Sequence, residues 1–201
     1  MANEGHAWSW PEHRRYLRDL TPYLLASIGV LLAGALAGFF LSPRHSDFSS
    51  ARQEALGEFV SLFIGLPRPL LALAIFVNNA LKTFLVILTG RLAGVLPLIF
   101  LLINGYFLGL VFYTTLQTRG LLSFLIAIVP HGALELPAVL LGTAIGLRLG
   151  ARAIARFIKK GPVDLSAEMA RGLRFFVAVI VPLLLVSALI EAFITASIAA
   201  K

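Results

Sequence analysis

Ionisable and amide side chains interrupt several strongly apolar segments of this chain. They are Asn78, Asn79, Lys82, Asn104, His131, Glu135 and Glu191. Asn78 and Lys82 are four residues apart, as are His131 and Glu135, so each pair shares one face of a helix. A charged side chain at the centre of a bilayer costs about 2.5–3.5 kcal/mol on insertion scales, so these groups need a partner or a function.

Three interpretations of these groups stay open. In the first, Lys82 pairs with Glu135 or Glu191 and the asparagines satisfy free backbone groups, which makes a structural network. In the second, the groups form a binding site or conduit for a proton, an ion or a lipid headgroup. In the third, His131 and Glu135 are ligands of a hydrolytic metal site. Because no HExxH, GxSxG or paired-aspartate motif accompanies them, we predict no catalytic residue, metal or cofactor.

The composition is typical of a membrane protein. Of 201 residues, 59% are hydrophobic and 13% are charged, and the mean hydropathy is +0.90. Soluble domains are roughly 45–50% apolar and 25% charged. The net charge of +7 therefore bears on membrane orientation, and no nucleic-acid partner is expected. The absence of cysteine excludes disulfides and thiolate metal sites.

Five apolar runs are long enough to cross ~30 Å of hydrocarbon as helices. They lie at 22–41, 69–89, 93–116, 121–147 and 175–198. A retained interfacial segment, 1–21, precedes the first run, and helical periodicity over 46–66 predicts an extracytoplasmic amphipathic helix. Pro130 and Pro137 predict a broken or kinked fourth span. We therefore predict one all-α, polytopic membrane bundle over residues 1–201.

Positive residues set the expected orientation. A basic linker, 148–174, separates the fourth and fifth runs and holds much of the positive charge of the chain. Placing it in the cytoplasm puts the N-terminus inside and the C-terminus outside. Part of it repeats every four residues and is expected to contact anionic headgroups or a cytosolic partner. These residues are Arg148, Arg152, Arg156, Lys159 and Lys160.

Small residues at four-residue spacing predict where helices approach closely. They are Gly34, Gly38, Gly105, Gly109, Ala138, Gly142, Gly146 and Gly150. The series in the fourth span is the longest, and His131 and Glu135 extend it along the same face. Packing inside the bundle is the expected use of these residues, and a homodimer interface is the alternative.

The segments FVNNALKTFLVILTGRLAGVLPLIFLLINGYFLG (76–109), PHGALELPAVLLGTAIGLRLG (130–150) and SALIEAFIT (187–195) resemble the stage II sporulation protein M family. The residues that carry the resemblance are Asn78, Asn79, Asn104, Gly105, Pro130, His131, Gly132, Glu135, Pro137 and Glu191. The resemblance implies a core network at these positions, with no established catalytic role.

For the whole chain, the resemblance implies a non-enzymatic scaffold in the plasma membrane of a prokaryote, organising an envelope or membrane-remodelling complex. Its expected partners are membrane lipids and other membrane proteins of such a complex. A transporter or channel for a proton, ion or lipid, built around Lys82, His131, Glu135 and Glu191, is the alternative. An intramembrane metal-dependent hydrolase is the third hypothesis.

Overall fold

The computed structural model describes residues 10–42, 66–159 and 164–195 of the chain. For residues 10, 127–131, 159, 194 and 195 it describes the backbone alone. The predicted amphipathic helix over 46–66 lies outside the described residues, apart from Leu66 at its end, and so does Lys160.

Helices account for nearly all of the described chain, and no β-strand occurs in these ranges. They are α1 (Trp10–Leu41), α2 (Arg68–Thr89), α3 (Val95–Thr118), α4 (Gly120–Lys159), α5 (Leu165–Phe175), a π-helical turn (Phe176–Ile180), α6 (Val181–Ile190) and a second π-helical turn (Glu191–Thr195). Within the described residues, five helical segments are long and apolar enough to cross a membrane. The fold is therefore an all-α, multi-pass membrane bundle, as the sequence predicts.

Two helices are longer than the apolar runs that predict them. Residues 10–21 of the interfacial segment and the first span form one helix, α1, which continues through Pro22. α4 is continuous through Pro130 and Pro137, so the fourth span is not broken. Prolines are tolerated in membrane helices where neighbouring groups satisfy the freed carbonyls. With 40 residues, α4 is about 60 Å long at 1.5 Å per residue, so its basic end continues the span beyond the predicted boundary.

Backbone contact between α1 and α3 is the most extensive helix pairing in the described chain. A Cβ atom added to Gly38 would lie 3.0 Å from the Cα atom of Tyr106, and one added to Gly109 would lie 2.9 Å from the Cα atom of Ala35. Gly34 and Gly105 face each other in the same interface, so no side chain separates the two backbones. Helices in a membrane gain little from the hydrophobic effect when they associate, because lipid tails are also apolar. Close approach stabilises their association through dispersion contacts.

The small residues of α4 pack against α2 and the turn that follows it. A Cβ atom on Gly90 would lie 2.6 Å from the Cα atom of Gly146, and one on Gly150 would lie 2.6 Å from the Cα atom of Gly94. Gly94 has φ +73°, a left-handed conformation that turns the chain from α2 into α3. Gly142 packs against Thr83, and Ala138 is fully buried. These residues therefore pack within the chain.

Two glycines of α1 offer a matched test of this packing. Gly38→Ala should destabilise the protein by about 1–3 kcal/mol, because its methyl group would overlap the backbone of α3. Gly29→Ala should be neutral or stabilising by up to about 1 kcal/mol, since nothing lies within 4 Å of its added Cβ. Thermal unfolding in one detergent measures both variants. Equal melting temperatures would contradict the backbone contact.

Candidate functional site

A buried arginine joins three helices at one end of the bundle. Arg148 of α4 is only 4% exposed. Its Nε donates to Oε2 of Glu168 in α5 at 2.8 Å, and its Nη2 donates to Oδ2 of Asp19 in α1 at 3.3 Å. The guanidinium carbon lies 5.2 Å from the ring centroid of Tyr16. We call these four residues the arginine cluster.

Local features of α5 place Glu168 against Arg148. Asp164 caps α5, with its Oδ1 accepting hydrogen bonds from the amides of Ser166 and Ala167 at 2.9 and 3.0 Å. This cap fixes the first turn, where Glu168 lies favourably near the positive end of the helix dipole. Gly172 lets α5 approach α4, because a Cβ there would lie 2.6 Å from Cγ2 of Ile145.

An apolar core surrounds the arginine cluster on the inner side. Tyr16 packs on Phe175 with ring centroids 5.2 Å apart. Leu149 and Ile145, on either side of Arg148 in α4, belong to the same buried cluster. Removing a guanidinium from water costs several kcal/mol unless it is fully paired, so the carboxylates are required where they lie. The geometry makes the arginine cluster a structural joint.

A polar cavity of about 380 Å³ opens beside this joint, between the N-terminal part of α1 and α5. Its lining residues are Glu12, Arg15, Tyr16, Asp19, Ala167, Ala170, Arg171 and Arg174. Arg171 donates from Nη1 to Oε1 of Glu168 at 3.1 Å. We call this space the arginine-lined cavity.

A second cavity, of about 250 Å³, lies inside the membrane-spanning region between α1, α3 and α4. Apolar side chains form most of its lining, and Asn104 and Glu135 are its polar members. The Nδ2 of Asn104 donates to the backbone oxygen of Phe100 at 2.7 Å. We call this space the intramembrane cavity. It brings together two of the intramembrane polar residues found in the sequence.

The other intramembrane polar residues whose side chains are described do not line the intramembrane cavity. Asn78 donates to the side-chain oxygen of Asn79 at 3.3 Å, within α2. Lys82 is exposed, and the described chain contains no ion pair between it and Glu135 or Glu191. Glu191 is half-buried at the start of the second π-helical turn. The side chain of His131 lies outside the described residues, so its position on one helix face with Glu135 stays a prediction.

Comparison with protein-family models identifies the family of the chain. The model of the family described as "Stage II sporulation protein M" matches residues 17–196. The chain belongs to the stage II sporulation protein M family. Searches of curated proteins and of solved structures give no match.

The basic residues that the sequence of this sporulation protein M member predicts at lipid headgroups differ in their exposure. Arg152 and Arg156 are exposed near the end of α4, where headgroups or a partner could reach them. Arg148 differs from the prediction, because it is buried and ion-paired and so is not available to a headgroup. Only the backbone of Lys159 is described. Four-residue spacing puts all three arginines on one side of the helix, but it does not show how far α5 covers that side.

Sequence reasoning missed the acidic half of the arginine cluster. Glu168 lies in a linker where basic residues predominate, and Asp19 lies in a segment with equal numbers of acidic residues and arginines. Nothing in their local spacing links either one to Arg148. The available signal was that each is an acidic residue close to the start of an apolar run. Among the described side chains, no group of three or more His, Cys, Asp or Glu residues is placed to hold a metal ion.

Arg148→Met should destabilise this sporulation protein M member by about 1.5–3 kcal/mol, because it removes the charge-assisted hydrogen bonds to Glu168 and to the half-exposed Asp19. Arg152→Gln is the matched control. Its Nε is 3.9 Å from Glu168 and its side chain is 48% exposed, so its loss should cost less than about 1 kcal/mol. Melting in detergent reports both. A melting temperature for Arg148→Met as high as that of the control would show that the joint does not hold the helices together.

Proposed function

We propose that this sporulation protein M member is a non-enzymatic scaffold that organises an envelope or membrane-remodelling complex in the plasma membrane of a prokaryote. Family membership supports the class of protein. The observation that carries the proposal is the position of Lys82, an exposed cation among outward apolar residues of α2. Val77, Leu81 and Leu85 around it are all exposed.

The depth of Lys82 favours a protein partner over water. α2 is 22 residues long, so Lys82 lies about 21 Å along the helix from Arg68 and about 10 Å from Thr89 at 1.5 Å per residue. Its side chain leans towards the helix N-terminus, away from the nearer end. An isolated charge at this depth is costly, and a carboxylate on a neighbouring membrane helix would offset the cost.

The proposed orientation places the N-terminus in the cytoplasm and the C-terminus outside. It rests on the positive charge in the segment from Arg148 to Arg174 and on the positive-inside rule. The arginine cluster, the arginine-lined cavity and the exposed Arg152 and Arg156 then lie on the cytoplasmic side. A scaffold of this form would present α2 to membrane partners and the end of α4 to lipid headgroups or cytosolic partners.

A photo-crosslinking experiment tests the scaffold. A photoreactive residue replaces Leu85, beside Lys82, and in the control it replaces Leu122 at the start of α4; both leucines are exposed. In membranes of the source cell, we expect crosslinking at Leu85 to one membrane protein with a carboxylate in its span. Lys82→Leu should abolish this crosslink and Lys82→Arg should retain it, because the arginine keeps the charge.

Two results would contradict the scaffold proposal. One is a crosslink at Leu85 that survives Lys82→Leu unchanged, which would remove the role of the cation. The other is turnover of a peptidoglycan or lipid substrate by the purified chain alone, which would make the protein an enzyme.

A transporter or channel is the second candidate, and the intramembrane cavity is the observation that favours it. Glu135 and Asn104 supply an ionisable group and an amide within its apolar walls. On this hypothesis, Glu135→Gln lowers proton or ion flux into liposomes by about tenfold or more, since the permeant species loses its charged site. Glu191→Gln is the control, because Glu191 does not line this cavity. No flux through the wild-type protein would eliminate this candidate.

A further inference from the structure

The arginine-lined cavity has the form of a ligand site. Its volume of about 380 Å³ falls in the range of roughly 300–1,000 Å³ that small-molecule sites occupy. Four lining residues come from α1 and four from α5, so it is a groove between two helices and not a dent on one surface. On α5, Ala167 and Ala170 have short side chains that leave open space beside the long arginines.

The charged side chains that line this cavity differ in their ion pairs. Asp19 is paired with the buried Arg148, at 3.2 Å from its Nη1. Arg171 is paired with Glu168. By contrast, the described chain gives neither Arg15 nor Arg174 an ion pair. Two guanidinium groups are therefore left to bind an anion, and the lining also contains the carboxylate of Glu12.

The sequence places this cavity at the boundary of the hydrocarbon. In α1, Asp19 is the last charged residue before the apolar run of the first span. In α5, Arg174 is the last charged residue before Glu191. Both walls of the cavity thus end where the apolar runs begin, which is the depth of lipid headgroups.

Arginine suits one ligand chemistry at this depth. Its planar guanidinium binds phosphate oxygens with two parallel hydrogen bonds and is weakly hydrated, so it pairs well at an interface. Basic pockets between membrane helices bind the headgroups of anionic lipids. A phosphate diester or monoester is therefore the group that the cavity fits.

We propose that the arginine-lined cavity binds the phosphate of an anionic phospholipid, with Arg15 and Arg174 as its principal donors. Arg171 is shared between Glu168 and the ligand. The arginine cluster holds α1 and α5 at the separation that the cavity needs. This site requires no protein partner, so it stands independently of the proposed scaffold function.

Native mass spectrometry of the full chain in detergent tests the site. Phosphatidylglycerol, phosphatidylcholine and the soluble headgroup analogue glycerol phosphate are titrated separately. We expect phosphatidylglycerol to bind about tenfold or more tightly than phosphatidylcholine, and the double variant Arg15→Gln/Arg174→Gln to lose that preference. Arg91→Gln/Arg119→Gln, which removes two exposed arginines outside the cavity, should keep it.

A cavity-filling variant separates a defined site from diffuse charge. Ala170→Phe keeps every arginine but fills the space beside Arg174, so it too should abolish the preference. It also keeps the test decisive if the double variant does not fold.

Three outcomes overturn the proposal. An equal loss in Arg91→Gln/Arg119→Gln assigns the effect to overall surface charge. Full binding by a folded Ala170→Phe variant excludes the cavity. Displacement of the lipid by an equal concentration of glycerol phosphate makes the ligand a soluble phosphate and not a lipid.

Discussion

The burial of the Arg148 guanidinium is the constraint on which the arrangement of the helices depends. A buried cation must keep its carboxylates within hydrogen-bond distance, because the alternative is an uncompensated charge in a low-dielectric interior. Asp19 fixes α1 to α4, and Glu168 fixes α5 to α4. The ring of Tyr16 covers the guanidinium and packs on Phe175, so the polar joint and the apolar core are continuous.

The same constraint gives the neighbouring cavity its charge. Asp19 and Glu168 form ion pairs with Arg148 and Arg171. Arg15 and Arg174 of the cavity lining therefore keep their positive charge for a ligand. A structural ion-pair joint and a candidate anion site are thus two consequences of one distribution of charges. The depth of the cavity in the membrane follows from the apolar runs. Both walls lie immediately before runs that must remain in the hydrocarbon.

Elsewhere the bundle is held by backbone contact. Lipid tails are as apolar as leucine side chains, so helices in a membrane gain little from the hydrophobic effect when they associate. Gly38 and Gly109 bring α1 and α3 together, and Gly90 and Gly146 bring α2 and α4 together, at distances that no side chain would permit. These contacts set how closely the two pairs of helices approach each other.

The sequence alone determined the class of fold, the five spans and the family resemblance, and its small residues at four-residue spacing predicted close helix contacts. Span length and apolarity are local properties, and a glycine at four-residue spacing allows close approach wherever its helix packs. The tertiary structure decided which charges pair. Arg148, Arg152 and Arg156 have the same spacing, yet one is buried and two are exposed, because burial depends on where α1 and α5 cross α4. The composition of both cavities was likewise decided by helices distant in sequence, whose meeting faces no local pattern specifies.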